Sequence, residues 1–139
     1  MKLQLITLTG LKMDDDVYEV VLPTSSGEIA VYPGHEPLVT VAVPGILSVR
    51  RKKGDSDDSR ELFALNGGVA EIDTTRIRVL VDDADRPEEI IAAEVEKALA
   101  LAQKQKAEAK SQVELDKAQA MIDRSAVRLK VAGLRRHKR

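Results

Sequence analysis

One histidine lies close to two carboxylates in the first third of the sequence, and the three side chains could form an acid–base site. His35 follows a Pro-Gly pair, with Glu28 before it and Glu36 directly after it. An imidazole supported by a carboxylate is a common general base in enzymes. The sequence has no nucleophile motif or glycine-rich phosphate loop, and its other histidine, His137, is remote. Catalysis is therefore the weaker interpretation, and His35 can equally bond the backbone of its own turn.

Composition excludes several other kinds of chemistry. The 139 residues contain no cysteine, so disulfides, thiolate zinc sites and a cysteine nucleophile are excluded. The formal net charge is -1, and the aromatic residues are two tyrosines and one phenylalanine, which leaves few surfaces for stacking bases or sugars. No apolar stretch approaches the roughly 20 residues that span a bilayer. We expect a soluble, unexported protein without a metal site.

The end of the sequence carries a concentrated positive charge. From Arg124 to Arg139 there are seven lysines and arginines and no acidic residue. Such a segment could bind nucleic acid or an anionic membrane surface, which is the alternative function that the sequence offers. Acidic residues just before it, such as Asp116 and Asp123, dilute this footprint. Residues 136–139 can also be interpreted as a frayed, solvated tail.

The elements that position these groups change character near residue 84. Before it, apolar residues recur at a spacing of two, which is typical of half-buried strands. The clearest runs are Val39-Val41-Val43, Leu62-Ala64 and Ile77-Val79-Val81. Turn signals such as Pro-Gly and Asn-Gly-Gly separate many short segments, as in a sandwich or a barrel. The polar segment from Arg50 to Arg60 is predicted to be a solvated hairpin tip.

After residue 84 the composition favours helices, and residues 85–139 are predicted to form a two-helix hairpin. Asp85 is a candidate cap and Pro87 suits a first turn, so the first helix is predicted at about 87–110. A second helix is predicted at about 114–134. The apolar stripe of the first helix is Ile91, Val95, Ala98 and Ala102. The seam of the second is Leu115, Ala118, Ile122, Ser125, Leu129 and Ala132.

The second helix has another apolar side, almost opposite this seam. Val127, Val131 and Leu134 gather there at about 100° per residue, and Arg124 and Arg128 lie alongside. A hairpin partner can cover only one side of a helix. The second side therefore predicts a surface for another partner.

Several ordered motifs resemble one protein family. Residues 17–40 read Val-Tyr-Glu-Val-Val-Leu-Pro-Thr-Ser-Ser-Gly-Glu-Ile-Ala-Val-Tyr-Pro-Gly-His-Glu-Pro-Leu-Val-Thr. Pro-Gly-Ile-Leu follows at 44–47, and Gly-Gly-Val-Ala-Glu-Ile at 67–72. This order, with strands before a helical hairpin, closely resembles the epsilon subunit of bacterial F-type ATP synthases over the whole chain.

The resemblance implies a β-sandwich and a non-catalytic part of the rotor on the cytoplasmic face of a bacterial membrane. In this family the sandwich binds the gamma subunit and rests on the c-ring of the proton- or sodium-driven enzyme. The hairpin can fold against the sandwich or extend towards the catalytic beta subunits, and possibly alpha, to inhibit ATP hydrolysis. No cofactor and no nucleic acid is implied.

The resemblance also implies roles for individual residues. Glu28 matches the family position near the c-ring, and His35 lies in a turn that faces the same stalk junction. The regulatory contact of the extended helix would include Arg124, Val127, Arg128, Val131 and Leu134. Some relatives bind ATP through an aspartate and an arginine at the start of the first helix. This sequence has Ile91 and Glu94 at those positions, so we expect no useful nucleotide affinity.

Overall fold

A computed structural model describes the backbone of residues 1–137 and the side chains as far as Leu134. Ten β-strands precede two α-helices. The strands are β1 (Lys2–Thr7), β2 (Gly10–Asp16), β3 (Glu19–Thr24), β4 (Gly27–Val31), β5 (Leu38–Ala42), β6 (Gly45–Arg50), β7 (Glu61–Leu65), β8 (Gly68–Ile72), β9 (Arg76–Val81) and β10 (Ala84–Asp85). The helices are α1 (Ala92–Ala107) and α2 (Gln112–His137). The predicted tail at residues 136–139 lies outside the described side chains.

The strands form two layers that are joined at one corner. The first layer has the order β10-β7-β6-β3-β4, and the second has β5-β8-β9-β1-β2. The pair Thr24 and Ala42 connects β3 to β5 at the corner. Among the described strands only β1 and β9 pair in parallel. Short antiparallel strands in two layers, followed by a helical hairpin, confirm the predicted fold class.

Alternating side chains fill the space between the layers. Ile77, Val79 and Val81 point inward as predicted, and Phe63 and Leu65 join them from β7. The prediction for β5 was wrong in phase. Ala42 is the buried member of that strand, whereas Val39 and Val41 face solvent. The spacing of two identified the strand, but it could not say which of its two faces meets the core.

The first helix begins later than predicted. Residues 87–89 form a 3-10 turn, and Ile90 and Ile91 stay extended, so α1 begins at Ala92 rather than near residue 87. The extended backbone lets Ile90 bury its side chain beside the sandwich. Asp85 does not cap a helix but lies in β10, paired with Ala64. The carboxylate of Glu89 instead accepts a hydrogen bond from the backbone N–H of Arg86.

The helical hairpin is folded against the outer face of β6 and β7. Because side chains alternate along a strand, Ile46, Leu62 and Ala64 point away from the main core and form a second apolar cluster. The residues that cover this face from the other side are Ile90, Val95, Val127, Leu129, Val131 and Ala132. The predicted seam of α2 is present only in part: Ala118 and Ser125 are buried, whereas Leu129 and Ala132 pack against the sandwich instead. Both apolar sides of α2 are therefore covered.

One glycine is required by the close approach of two strands. A Cβ on Gly68 would lie 2.0 Å from the carbonyl oxygen of Leu80, because β8 and β9 pass very near each other there. Backbone atoms cannot move aside as a flexible side chain can. The pairing of β8 with β9 therefore depends on a residue without a side chain at this position.

Candidate interaction surfaces

A continuous row of aliphatic side chains crosses the outer face of the second layer. The strand register makes successive neighbours of residues that are far apart in sequence. In spatial order the row, here called the apolar row, consists of Val41, Val69, Leu80, Ile6 and Leu11. A β-bulge between Leu5 and Ile6 shifts the register and brings Leu11 opposite Ile6.

The apolar row is open to solvent. Val41 and Leu11 at its two ends are 54% and 58% exposed, and Leu8 in the neighbouring turn is 81% exposed. The next register row is mostly polar and includes an ion pair between Arg78 and Glu71. A contiguous apolar strip beside polar residues is typical of a protein contact surface. The helical hairpin cannot cover it, because the hairpin lies on the opposite layer.

The two stalk-contact candidates lie at opposite ends of β4. Glu28 is exposed next to the β3–β4 turn, where it lies opposite Pro23 in the strand pairing. His35 follows the other end of β4, in a turn whose Gly34 N–H donates to the carbonyl of Thr74. The His35 Nδ1–H donates to the carbonyl oxygen of Glu36 at 2.6 Å. The structure therefore does not bring Glu28 and His35 together, and the hydrogen-bond partner that it shows for the imidazole is the backbone carbonyl of Glu36.

The five predicted regulatory residues lie where α2 meets the sandwich. Arg124 Nη2 is 2.8 Å from a carboxylate oxygen of Asp83, and Arg128 Nε is 3.2 Å from one of Asp85. Between these ion pairs and the helix end, Val131 is fully buried. Val127 packs against the same cluster, and Leu134 is half-buried one turn further on. The surface that was predicted for another partner is occupied by the chain's own sandwich.

An open cleft of about 320 Å³ separates the end of α2 from the β3–β4 turn. Its lining from the sandwich is Pro23, Thr24, Gly27, Glu28, Val43, Pro44, Gly45 and Ile46, and α2 contributes Val127 and Lys130. Gly45 shapes this wall, since a Cβ there would lie 2.7 Å from the Cβ of Pro23. Glu28 and residues of α2, Val127 and Lys130, therefore line the same cleft.

The sequence analysis did not identify a polar cluster that surrounds one buried carboxylate, Glu19. Glu19 is buried and accepts hydrogen bonds from the hydroxyl of Tyr32 and, at 3.4 Å, from Arg50 Nε. Arg60 forms a close ion pair with the same carboxylate. Burial opposes the charge, but the bonds from Tyr32, Arg60 and Arg50 together hold the pKa of Glu19 below its usual value. The cluster fixes the ends of the segment from Arg50 to Arg60 to β3.

The start of α1 and the two paired arginines of α2 do not form a common nucleotide site. Ile91 is 57% exposed and Glu94 is also exposed, so neither is drawn towards a common site. Arg124 and Arg128 are paired with Asp83 and Asp85 instead. These pairs also neutralise two of the cations on which a nucleic-acid or membrane-surface function would depend. No helix within residues 1–137 combines the length and the apolar character needed to cross a bilayer.

Comparison with known proteins identifies a family. Residues 1–87 match the family described as "ATP synthase, Delta/Epsilon chain, beta-sandwich domain". The chain is 35% identical to the chloroplastic ATP synthase epsilon chain of Adiantum capillus-veneris, over 86% of both chains. It is 33% identical to the ATP synthase epsilon chain of Herpetosiphon aurantiacus, over 99% of this chain and 97% of the relative.

A solved structure shares the fold. A chain in the cryo-EM structure of Euglena gracilis mitochondrial ATP synthase, which contains OSCP, F1 and the c-ring, superposes with a TM-score of 0.77. The similarity covers 94% of this chain and 79% of that one, at 23% sequence identity.

Proposed function

This chain belongs to the ATP synthase delta/epsilon family, and from that membership we propose that it is a non-catalytic rotor subunit of an F-type ATP synthase. It joins the gamma subunit of the central stalk to the c-ring of the proton- or sodium-driven membrane sector. It is a peripheral protein on the cytoplasmic face of a bacterial membrane. The near full-length similarity to a bacterial epsilon chain supports this assignment.

The apolar row carries the proposal. A subunit that transmits torque must stay tightly bound to its neighbour. The five aliphatic residues of the apolar row offer a surface for such binding to the gamma subunit. Burying a half-exposed valine or leucine is worth about 1 kcal/mol, so the whole row contributes several kcal/mol to binding. The row lies on the layer that the hairpin leaves free. The gamma contact is therefore compatible with the folded hairpin.

The β3–β4 turn supplies the contact with the c-ring. Glu28 is exposed there and has no ion-pair partner within the described residues. His35 lies at the other end of β4, so it contacts the stalk rather than the ring. An exposed pair at Glu28 adds only about 0.2 to 1 kcal/mol, which suits a contact that sets position rather than affinity.

The hairpin regulates ATP hydrolysis by exchanging partners. In the extended state, Val127, Val131 and Leu134 would bury against a catalytic beta subunit or its alpha neighbour, and Arg124 and Arg128 would pair with acidic residues there. Four of these residues, Arg124, Val127, Arg128 and Val131, contact the sandwich in the folded state. Folding and inhibition are therefore mutually exclusive uses of one surface.

The test is binding of the purified chain to the gamma subunit. We expect Val69→Asp to weaken binding at least about tenfold, because it places a charge in the middle of the apolar row. Val113→Asp is the matched control, since Val113 is 63% exposed on the hairpin and should leave binding unchanged. Both variants should melt cooperatively near the wild-type temperature. Unchanged gamma binding by the folded Val69→Asp variant would refute the assigned surface.

A further inference from the structure

The cleft between α2 and the β3–β4 turn has one wall from the sandwich and one wall from the helical hairpin. The sandwich wall is held by a hydrogen bond from Val43 N–H to the carbonyl of Pro23 at 3.1 Å, and by the hydroxyl of Thr24 bonded to Gly27. Pro23 also packs directly on the backbone of Gly45. The other wall is α2, where Val127 and Val131 pack against the apolar side chains on the outer face of β6 and β7.

Opposite charges stand at the two sides of this cleft. Glu28 lies on the sandwich wall and Lys130 on the helix wall, and neither has an ion-pair partner in the described part of the chain. Between them the floor is apolar, with Pro23, Val43 and Ile46. The cleft is open to solvent and at the small end of the roughly 300 to 1,000 Å³ range of ligand pockets. It suits a short polypeptide loop better than a large ligand.

We propose that this cleft receives a loop of the c-ring and that the loop holds the hairpin in its folded position. The loop places an aliphatic or prolyl side chain on the apolar floor, a basic side chain towards Glu28, and an acidic side chain or carbonyl towards Lys130. This rests on the proposed function, which brings Glu28 to the membrane sector. A loop in the cleft contacts α2 only while α2 is folded down. Binding of the loop and folding of the hairpin therefore favour each other by the same factor.

Hydrogen exchange of the α2 amides tests this coupling in the full chain. Three states are compared: the free chain, the chain with gamma, and the chain with gamma and the purified c-ring. Addition of the c-ring should slow exchange in residues 121–134 by about fivefold or more, which is the lower range of typical coupling. Gamma alone should leave exchange in α2 unchanged, since the apolar row lies on the other layer.

A charge-reversal variant tests the helix wall. Lys130 is exposed, so Lys130→Glu should leave the fold and gamma binding intact while abolishing the slowing by the c-ring. Lys117→Glu is the matched control, because Lys117 is exposed on the same helix but lines a different crevice, near Glu108 and Glu114. It should retain the slowing.

Each other outcome overturns the proposal in a distinct way. Normal assembly with α2 exchange unchanged by the c-ring would refute the cleft while leaving the rotor function standing. Slowing that is complete with gamma alone would assign the cleft to gamma, and slowing by lipid micelles without the ring would assign it to a headgroup. Failure of the chain to assemble with gamma and the c-ring would refute the proposed function itself.

Discussion

Replacing Val131 by alanine should release the hairpin without unfolding the sandwich. Val131 of α2 is fully buried against the outer face of β6 and β7. The substitution removes two methyl groups, at about 0.8 kcal/mol each, and leaves a small cavity. The expected loss is about 1.5 to 2.5 kcal/mol. Because about 1.4 kcal/mol corresponds to a factor of ten, the opening equilibrium should rise roughly 10- to 60-fold.

Native-state hydrogen exchange measures this opening directly. Amides of α1 and α2 that exchange through release of the hairpin should accelerate by that factor, whereas amides of β9 in the main core should not change. Val113→Ala is the matched control, since it removes the same two methyl groups from a mostly exposed position of the same helix. It should leave both sets of rates nearly unchanged.

Two outcomes would contradict this expectation. If Val131→Ala accelerates the β9 amides as much as those of α2, the hairpin and the sandwich unfold as one cooperative unit. If it accelerates neither, the contact of Val131 with the sandwich contributes little to docking. In that case the ion pairs of Arg124 and Arg128 must hold the hairpin, and raised salt should release it.

Three further predictions concern the sandwich and the inhibitory state. Gly68→Ala should lower the free energy of unfolding by at least about 2 kcal/mol in urea titrations, because its Cβ would collide with the carbonyl oxygen of Leu80. Glu19→Gln should cost about 2 kcal/mol at pH 7, since it removes the charge that Tyr32 and two arginines bind. The folded-state pKa of Glu19 is lowered, so this stability is present above a pH of roughly 4.3 and is lost as the pH falls through the lower folded value. Removal of the residues after Lys110 should raise ATP hydrolysis by the isolated catalytic sector about fivefold or more.

Each of these has an outcome that contradicts it. A Gly68→Ala variant as stable as the wild type would mean that β8 and β9 can separate without cost. A stability difference between wild type and Glu19→Gln that stays constant down to pH 2 would mean that folding does not lower the pKa of Glu19. Hydrolysis that is unaffected by the truncation, in sectors that keep the sandwich, would mean that the extended inhibitory state is not populated.

Local periodicity was a good guide to which elements exist. Ile77, Val79 and Val81 were correctly predicted as the inward side of a strand, and two helices follow the strands as the composition predicted, although α1 begins five residues later than expected. Periodicity failed where contact with a neighbouring element determines the backbone conformation. Ile90 is extended rather than helical, and its side chain packs in the apolar cluster that includes Ala64, a contact that local periodicity does not describe.

The contact surfaces depend on register, which a single sequence does not reveal. The members of the apolar row come from five strands, and only the pairing of those strands makes them neighbours. The valines of β5 showed that one side of this strand is apolar. Their spacing of two is the same, however, whether that side faces the core or a partner protein. Glu19 was missed for a related reason: its bonds reach Arg50 and Arg60, which are remote in sequence.

The parallel pairing of β1 with β9 delays completion of the sandwich during synthesis. Roughly 70 residues separate the two strands, and ribosomes add about 5 to 20 residues per second, so β1 waits roughly 4 to 15 s for its neighbour. During that interval one edge of β1 stays open to aggregation or to a chaperone. The sandwich can close only when residue 81 has emerged, and the helices then dock on a finished platform. Slowing translation before that point should lower the yield of soluble protein, whereas slowing it within α2 should not.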